Sequence, residues 1–144
     1  MHPMTKGREL ALQFLYMQDL MKGDAAPFDG FLQEFGPKDL TKDGIVLAKA
    51  LVNNVLDMRN ELDADIQSVS ENWKVERMPV IDRNIIRMSM IEMMLGKTPT
   101  NVVINEAVEL AKNFGSDRAP QFVNGVLDKI KEHPSYKKGP VAQR

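Results

Sequence analysis

Residues 101–131 read NVVINEAVELAKNFGSDRAPQFVNGVLDKIK. Ile104, Ala107, Val108 and Ala111 recur at three- and four-residue steps, which predicts an amphipathic helix over residues 102–114 with Asn101 as its N-cap. Gly115 supplies the stop, and Ser116 or Asp117 is expected to cap a second helix with Pro120 in its first turn, where a missing N–H costs nothing. Phe122, Val123, Val126, Leu127 and Ile130 carry its apolar face, and His133 with Pro134 ends it. Gly125 stands inside that face, where glycine costs about 1 kcal/mol relative to alanine. The expected compensation is close approach of another helix backbone, with Asn124 hydrogen-bonding across the contact and a ligand contact as the alternative.

The same period continues upstream. Pro79 fits the first turn of a helix lined by Ile81, Ile85, Met88 and Ile91 and closed after Leu95 by Gly96. Residues 41–59 repeat Ile45, Ala48, Leu51, Val52, Val55 and Leu56, with Leu62, Ile66 and Val69 continuing beyond a break near Asn60. Leu10, Phe14, Met17 and Met21 mark a helix over residues 4–21 that Lys22 and Gly23 end, and Phe28, Phe31, Leu32 and Phe35 mark a brief one after a connector at residues 24–27. Alternating strands and fixed repeats are absent. The expected fold is all-α, about seven helices in two packed helical-bundle halves of one domain over residues 1–131. The halves are expected at about residues 4–71 and 72–131, with a disordered polar tail at 132–144.

The composition narrows the chemistry. With no cysteine among 144 residues, disulfides, thiolate metal sites and cysteine nucleophiles are excluded together, and a cytoplasmic setting is expected. No signal-like apolar run opens the chain, and no segment approaches the roughly 20 apolar residues of a membrane span. The formal net charge of −1 argues against indiscriminate nucleic-acid binding, which draws on counterion release by a basic surface. Any RNA contact therefore has to use a local patch.

Catalytic constellations are missing. His2 lies in a terminal stub and His133 beside a helix-ending proline, so neither is placed as a general base or a metal ligand. Asp63 and Asp65, two residues apart on a helix, point to different faces and read as solvated. Asn105 and Glu106 interrupt an apolar run and read as buried polar groups with a structural duty. No phosphate-cradling glycine loop or nucleophile elbow occurs, so a non-enzymatic protein without cofactor or metal is expected. Lys6 and Arg8 form a small basic cluster at the first helix, and Lys129, Lys131, Lys137 and Lys138 form another towards the opposite end.

Asn72-Trp73, Arg77, Ile81-Asp82-Arg83, Ile86-Arg87, Glu92, Ile104-Asn105-Glu106-Ala107, Glu109-Leu110-Ala111-Lys112 and Phe114-Gly115 are similar to the NusB family. The most specific match is Phe122-Val123-Asn124-Gly125-Val126-Leu127-Asp128-Lys129-Ile130. Arg8-Glu9-Leu10-Ala11-Leu12-Gln13 with Leu15-Tyr16 resembles the family's opening helix. The resemblance implies an all-helical antitermination factor that binds boxA RNA of ribosomal transcripts as a heterodimer with NusE, a small-subunit ribosomal protein, within an RNA polymerase antitermination complex. It implies RNA contacts at Lys6, Arg8, Gln121 and Phe122, and a partner face at Asp82, Arg77 and Tyr16. An acid there would suit a basic ribosomal protein.

This chain departs from the family pattern twice. The arginine-rich opening shrinks to Thr5-Lys6-Gly7-Arg8, which implies lower intrinsic RNA affinity, and the segment before Phe122 reads Asp117-Arg118-Ala119-Pro120. Arg118 is expected to compensate by pairing with phosphate. The alternatives are a ribosomal-RNA maturation factor without terminator read-through and a self-associating homodimer. An RNA cytosine methyltransferase would require a further catalytic domain and a cysteine.

Overall fold

Gly7 and Gly44 set how the first helices meet. In the computed structural model, which describes residues 3–22 and 27–136, a Cβ built on Gly7 would run into the Gly44 carbonyl oxygen. Helix α1 (Pro3–Leu20) therefore crosses α3 (Lys42–Asp57) backbone to backbone. Thr41 holds the start of α3, its Oγ1 accepting the Gly44 N–H at 3.0 Å. Leu10, Phe14, Leu15, Leu51, Val52 and Val55 are buried in this unit, Met1–Asp57. The short α2 (Phe28–Phe35) adds Phe28 and Phe31, whose rings lie 5.1 and 5.3 Å from Phe14 in edge-on contact.

The second unit, Met58–Arg144, holds α4 (Arg59–Val69), a 3-10 turn (Val75–Arg77), α5 (Val80–Leu95), α6 (Thr100–Phe114) and α7 (Ala119–Ile130). The break after α3 falls at Met58, and α4 packs on α5 and α7. The division between units thus lies at residues 57 and 58, not 71 and 72, because Leu62 and Ile66 are buried within the second unit. Helix α5 packs against α4, α6 and α7, so its burial extends beyond one apolar stripe to Asn84, Arg87, Ser89 and Glu92. Gly96 ends it in the left-handed region at φ 70°, where a side chain would be strained.

Arg87 shows how a charge is accommodated there. Its Nε and Nη2 donate to Asp63 Oδ1 and Oδ2, both at 2.8 Å, and its Nη1 donates to Asn84 Oδ1 at 3.0 Å. The neighbouring Asp65 accepts the Tyr136 hydroxyl at 2.7 Å and faces His133 at 3.7 Å. Asp63 and Asp65 are therefore not a solvated pair: each partners a group from another part of the unit. Tyr136 is buried, so residues 132–136 form turns against the helices and not the start of a disordered tail. Burial, then the hydrogen bond to Asp65, pushes the Tyr136 hydroxyl pKa upward.

The expected caps are also revised. Pro79 and Pro99 occupy the N-cap positions of α5 and α6, and Arg118 that of α7, none with a side-chain cap bond. Asn101 lies inside α6, and Asn105 is exposed on it. Pro120 does sit in the first turn of α7. His2, residues 23–26 and the lysines at 137 and 138 lie outside the described residues, as does the tail from residue 137 onward. Among the described residues, no helix is long and apolar enough to cross a membrane.

Candidate RNA-binding clefts

Trp73 and Phe122 form the centre of the candidate site, their rings 6.5 Å apart and edge-on. Gln67 on α4 pins the segment that carries Trp73. Its Nε2 donates to the carbonyls of Ser70 at 3.1 Å and Trp73 at 2.8 Å, while its Oε1 accepts the Val75 N–H at 3.0 Å. Trp73 is thereby held outward and remains 60% exposed, an unusual position for the largest apolar side chain. Phe122 faces it from the first half of α7.

Two clefts share this aromatic pair in their walls. One, of about 630 Å³, is lined by Ser70, Trp73, Gln121, Phe122, Gly125 and Lys129. The other, of about 400 Å³, is lined by Trp73, Arg77, Asp82, Arg118, Gln121 and Phe122. Both volumes lie in the range of roughly 300–1,000 Å³ in which small-molecule sites fall.

Each cleft holds a buried polar atom without a partner among the described residues. In the larger it is Ser70 Oγ, on a residue 6% exposed; in the smaller it is Asp82 Oδ1, on a residue 3% exposed. Burial raises the Asp82 pKa above its ordinary 3.8. The joint between α6 and α7 runs beside this carboxylate. A Cβ on Gly115 would lie 2.5 Å from the Ala119 Cβ and 3.2 Å from Asp82 Oδ1, so Gly115 is required by packing, its backbone being extended at φ −96°.

The residues expected from sequence sort themselves differently from the expectation. Arg77, Asp82, Arg118, Gln121 and Phe122 converge on one cleft, so the expected RNA and partner faces overlap there. Asp82 is sunk into it and presents no exposed acid to a basic protein. Arg8 is 3% exposed and has a partner within the protein, so it does not offer a guanidinium to phosphate. Lys6 pairs with Asp39, a hydrogen bond that holds the Asp39 carboxyl below its ordinary pKa. Tyr16 is exposed on α1.

Gly125 overturns a further expectation. It is exposed, a Cβ there would meet nothing within 4 Å, and no helix approaches it. Instead it lines the larger cleft. Sequence reading missed Ser70 and Lys129 as site residues and gave Trp73 no role; the available signal was Gly125 inside a predicted helix, for which a ligand contact was the alternative reading.

Comparison with known proteins places this geometry in a family. The NusB family profile matches residues 5–132. The chain is 45% identical over 126 residues to a transcription antitermination protein NusB of Geobacter sulfurreducens, covering 86% of this chain and 90% of that protein. It is 41% identical over 127 residues to the protein of the same name from Anaeromyxobacter dehalogenans, covering 88% of each. Among solved structures it resembles T. maritima NusB with a TM-score of 0.82 at 26% identity, covering 94% of each chain. It also resembles a chain from the complex of antitermination factors NusB and NusE with dsRNA, with a TM-score of 0.77 at 28% identity, covering 90% of this chain and 96% of that one. By sequence and by fold, this chain belongs to the NusB family.

Proposed function

We propose that this chain is a transcription antitermination factor that binds boxA RNA of ribosomal transcripts together with NusE, in the bacterial cytoplasm and without catalytic turnover. The observation that carries the RNA reading is the aromatic pair of exposed Trp73 and half-buried Phe122 beside the exposed cations Arg77, Arg118 and Lys129. Unpaired RNA is held by base stacking on aromatic rings and by phosphate pairing with nearby cations, and this cluster supplies both. A duplex hides its base faces, so a single strand is the better fit. Gln121 adds an amide for base edges, while Lys6 and Arg8 belong to the packing of the first unit. The partner protein is left the surfaces outside the clefts, including Tyr16 and the outward side of Arg77.

Fluorescence anisotropy with labelled boxA RNA tests this, using the protein alone, NusE alone and both, at two salt concentrations and against scrambled and duplex RNA. The expected result is selective binding of the single strand, tightened by the partner and weakened by salt. Equal binding of scrambled RNA would point instead to a general ribosomal-RNA maturation role. No gain from the partner, combined with concentration-dependent sedimentation of the chain alone, would favour the homodimer.

A further inference from the structure

Helix α6 carries two asparagines for which the packing has no use. Asn101 is not the N-cap, a position held by Pro99, and Asn105 is not buried. Both are exposed, and among the described residues neither side chain has a hydrogen-bond partner. Asparagine is a poorer helix former than alanine, so the pair costs helix stability and returns nothing to the core. Four positions apart, the two share one face of α6. That face forms a wall of a groove of about 350 Å³ lined by Thr100, Asn101, Ile104 and Asn105 from α6 and by Asp128 and Lys131 from α7. None of these residues lines the aromatic clefts. Ile104, buried to all but 6%, gives the groove its apolar contact, and Lys131 pairs with Asp128 at 3.3 Å on the α7 side, both about half exposed.

Each wall offers a donor beside an acceptor. An asparagine amide presents N–H and C=O together, and the α7 wall presents the Lys131 ammonium next to the Asp128 carboxylate. An extended peptide has the complementary pattern. The N–H and C=O of one residue point to the same edge, those of the next residue to the other, so each edge repeats after roughly 6.6–6.8 Å. Residues four apart on a helix stand about 5–6 Å apart at Cβ, close enough for two flexible amides to meet two alternate residues of such a chain. We propose that the α6–α7 groove docks an extended peptide segment of a partner protein, held through its backbone between Asn101 with Asn105 and Asp128 with Lys131, with one apolar side chain laid on Ile104. Charge favours this occupant over RNA. A phosphate only accepts hydrogen bonds, so it would be repelled by Asp128 and leave both asparagine carbonyls unused, whereas a peptide backbone is neutral and brings a donor for each acceptor.

The probe is an array of acetylated, amidated heptapeptides with a central Val, Leu or Ala and varied neutral or charged flanks, the best of them remeasured in solution by anisotropy with the full chain. Saturable binding of peptides with an apolar centre is expected. Asn101→Ala and Asn105→Ala should each weaken it about tenfold, the scale of two lost hydrogen bonds, while melting at or above the temperature of the parent protein because alanine is the better helix former. Replacing a peptide amide by an ester removes only the N–H. Esters at two alternate positions should weaken binding to the parent protein about tenfold and leave binding to the Asn101→Ala/Asn105→Ala double variant unchanged, which ties those N–H groups to these side chains. Neither asparagine variant should alter boxA RNA binding, since the groove is separate from the aromatic clefts. No saturable peptide, a peptide indifferent to both asparagine variants, or ester effects that persist in the double variant would overturn the proposal. So would displacement of the bound peptide by boxA RNA, which would make RNA the occupant, or tighter binding of a peptide of residues 137–144, which would make the occupant this chain itself.

Discussion

At the scale of single residues, the decisive groups are buried polar ones whose partners come from distant parts of the chain. Asp63 neutralises Arg87, whose side chain is 4% exposed, while Asp63 itself remains 29% exposed. Breaking a fully buried pair costs roughly 3–5 kcal/mol, so Asp63→Ala, with one partner partly solvated, should cost about 2–3 kcal/mol in urea unfolding. Asp82 behaves in the opposite sense. Burial raises its pKa in the folded protein above 3.8, so folding favours the neutral acid. Its contribution is fully present below pH 3.8 and is lost as pH rises through the raised value. Asp82→Asn keeps the neutral shape, so the variant should match the parent protein in acid and exceed it in stability by a margin that grows to a plateau towards neutrality. Urea melts at a series of pH values read the effect.

At the scale of elements, one substitution at two glycines separates packing from binding. Gly7→Ala drives a Cβ into the backbone of α3 and should destabilise the protein by about 2–3 kcal/mol, the upper part of the range for overpacking. Gly125→Ala meets open space and should stabilise by about 1 kcal/mol through helix propensity. Thermal melts of the two variants should therefore shift in opposite directions. Both glycines interrupt helical stretches of sequence, and nothing in their immediate neighbours separates them. The helix spans themselves were legible, because runs such as Leu51-Val52-Val55 and Val123-Val126-Leu127 keep the helical period. The caps were less so: Pro79 and Pro99 stand one position before the helix, a difference that backbone geometry settles.

For the whole molecule, the net charge of −1 leaves RNA affinity to a local cluster. Each phosphate neutralised on a single strand contributes roughly 0.7 to the slope of log affinity against log salt. With Arg77, Arg118 and Lys129 engaged, the slope should be about −2, and Arg118→Glu should reduce its magnitude by about 0.7 or more. Arg8→Ala should leave the slope unchanged and lower the melting temperature, since Arg8 is buried. Anisotropy titrations across a salt series would measure the slope.

The amino-acid sequence alone determined that the protein is all-helical, where its helices run, and to which family it belongs. Those properties follow from local periodicity and from motifs such as Phe122-Val123-Asn124-Gly125, which are written in neighbouring residues. Only the tertiary structure decided which polar residues are partners and which are left without one. Asp63 meets Arg87 and Asp65 meets Tyr136 across 24 and 71 residues of chain. Ser70 and Asp82 are brought to two clefts that share one aromatic pair by the packing of α4, α5 and α7. Burial and proximity depend on the whole packing arrangement, so a residue's neighbours in sequence do not reveal whether its hydrogen bonds are satisfied.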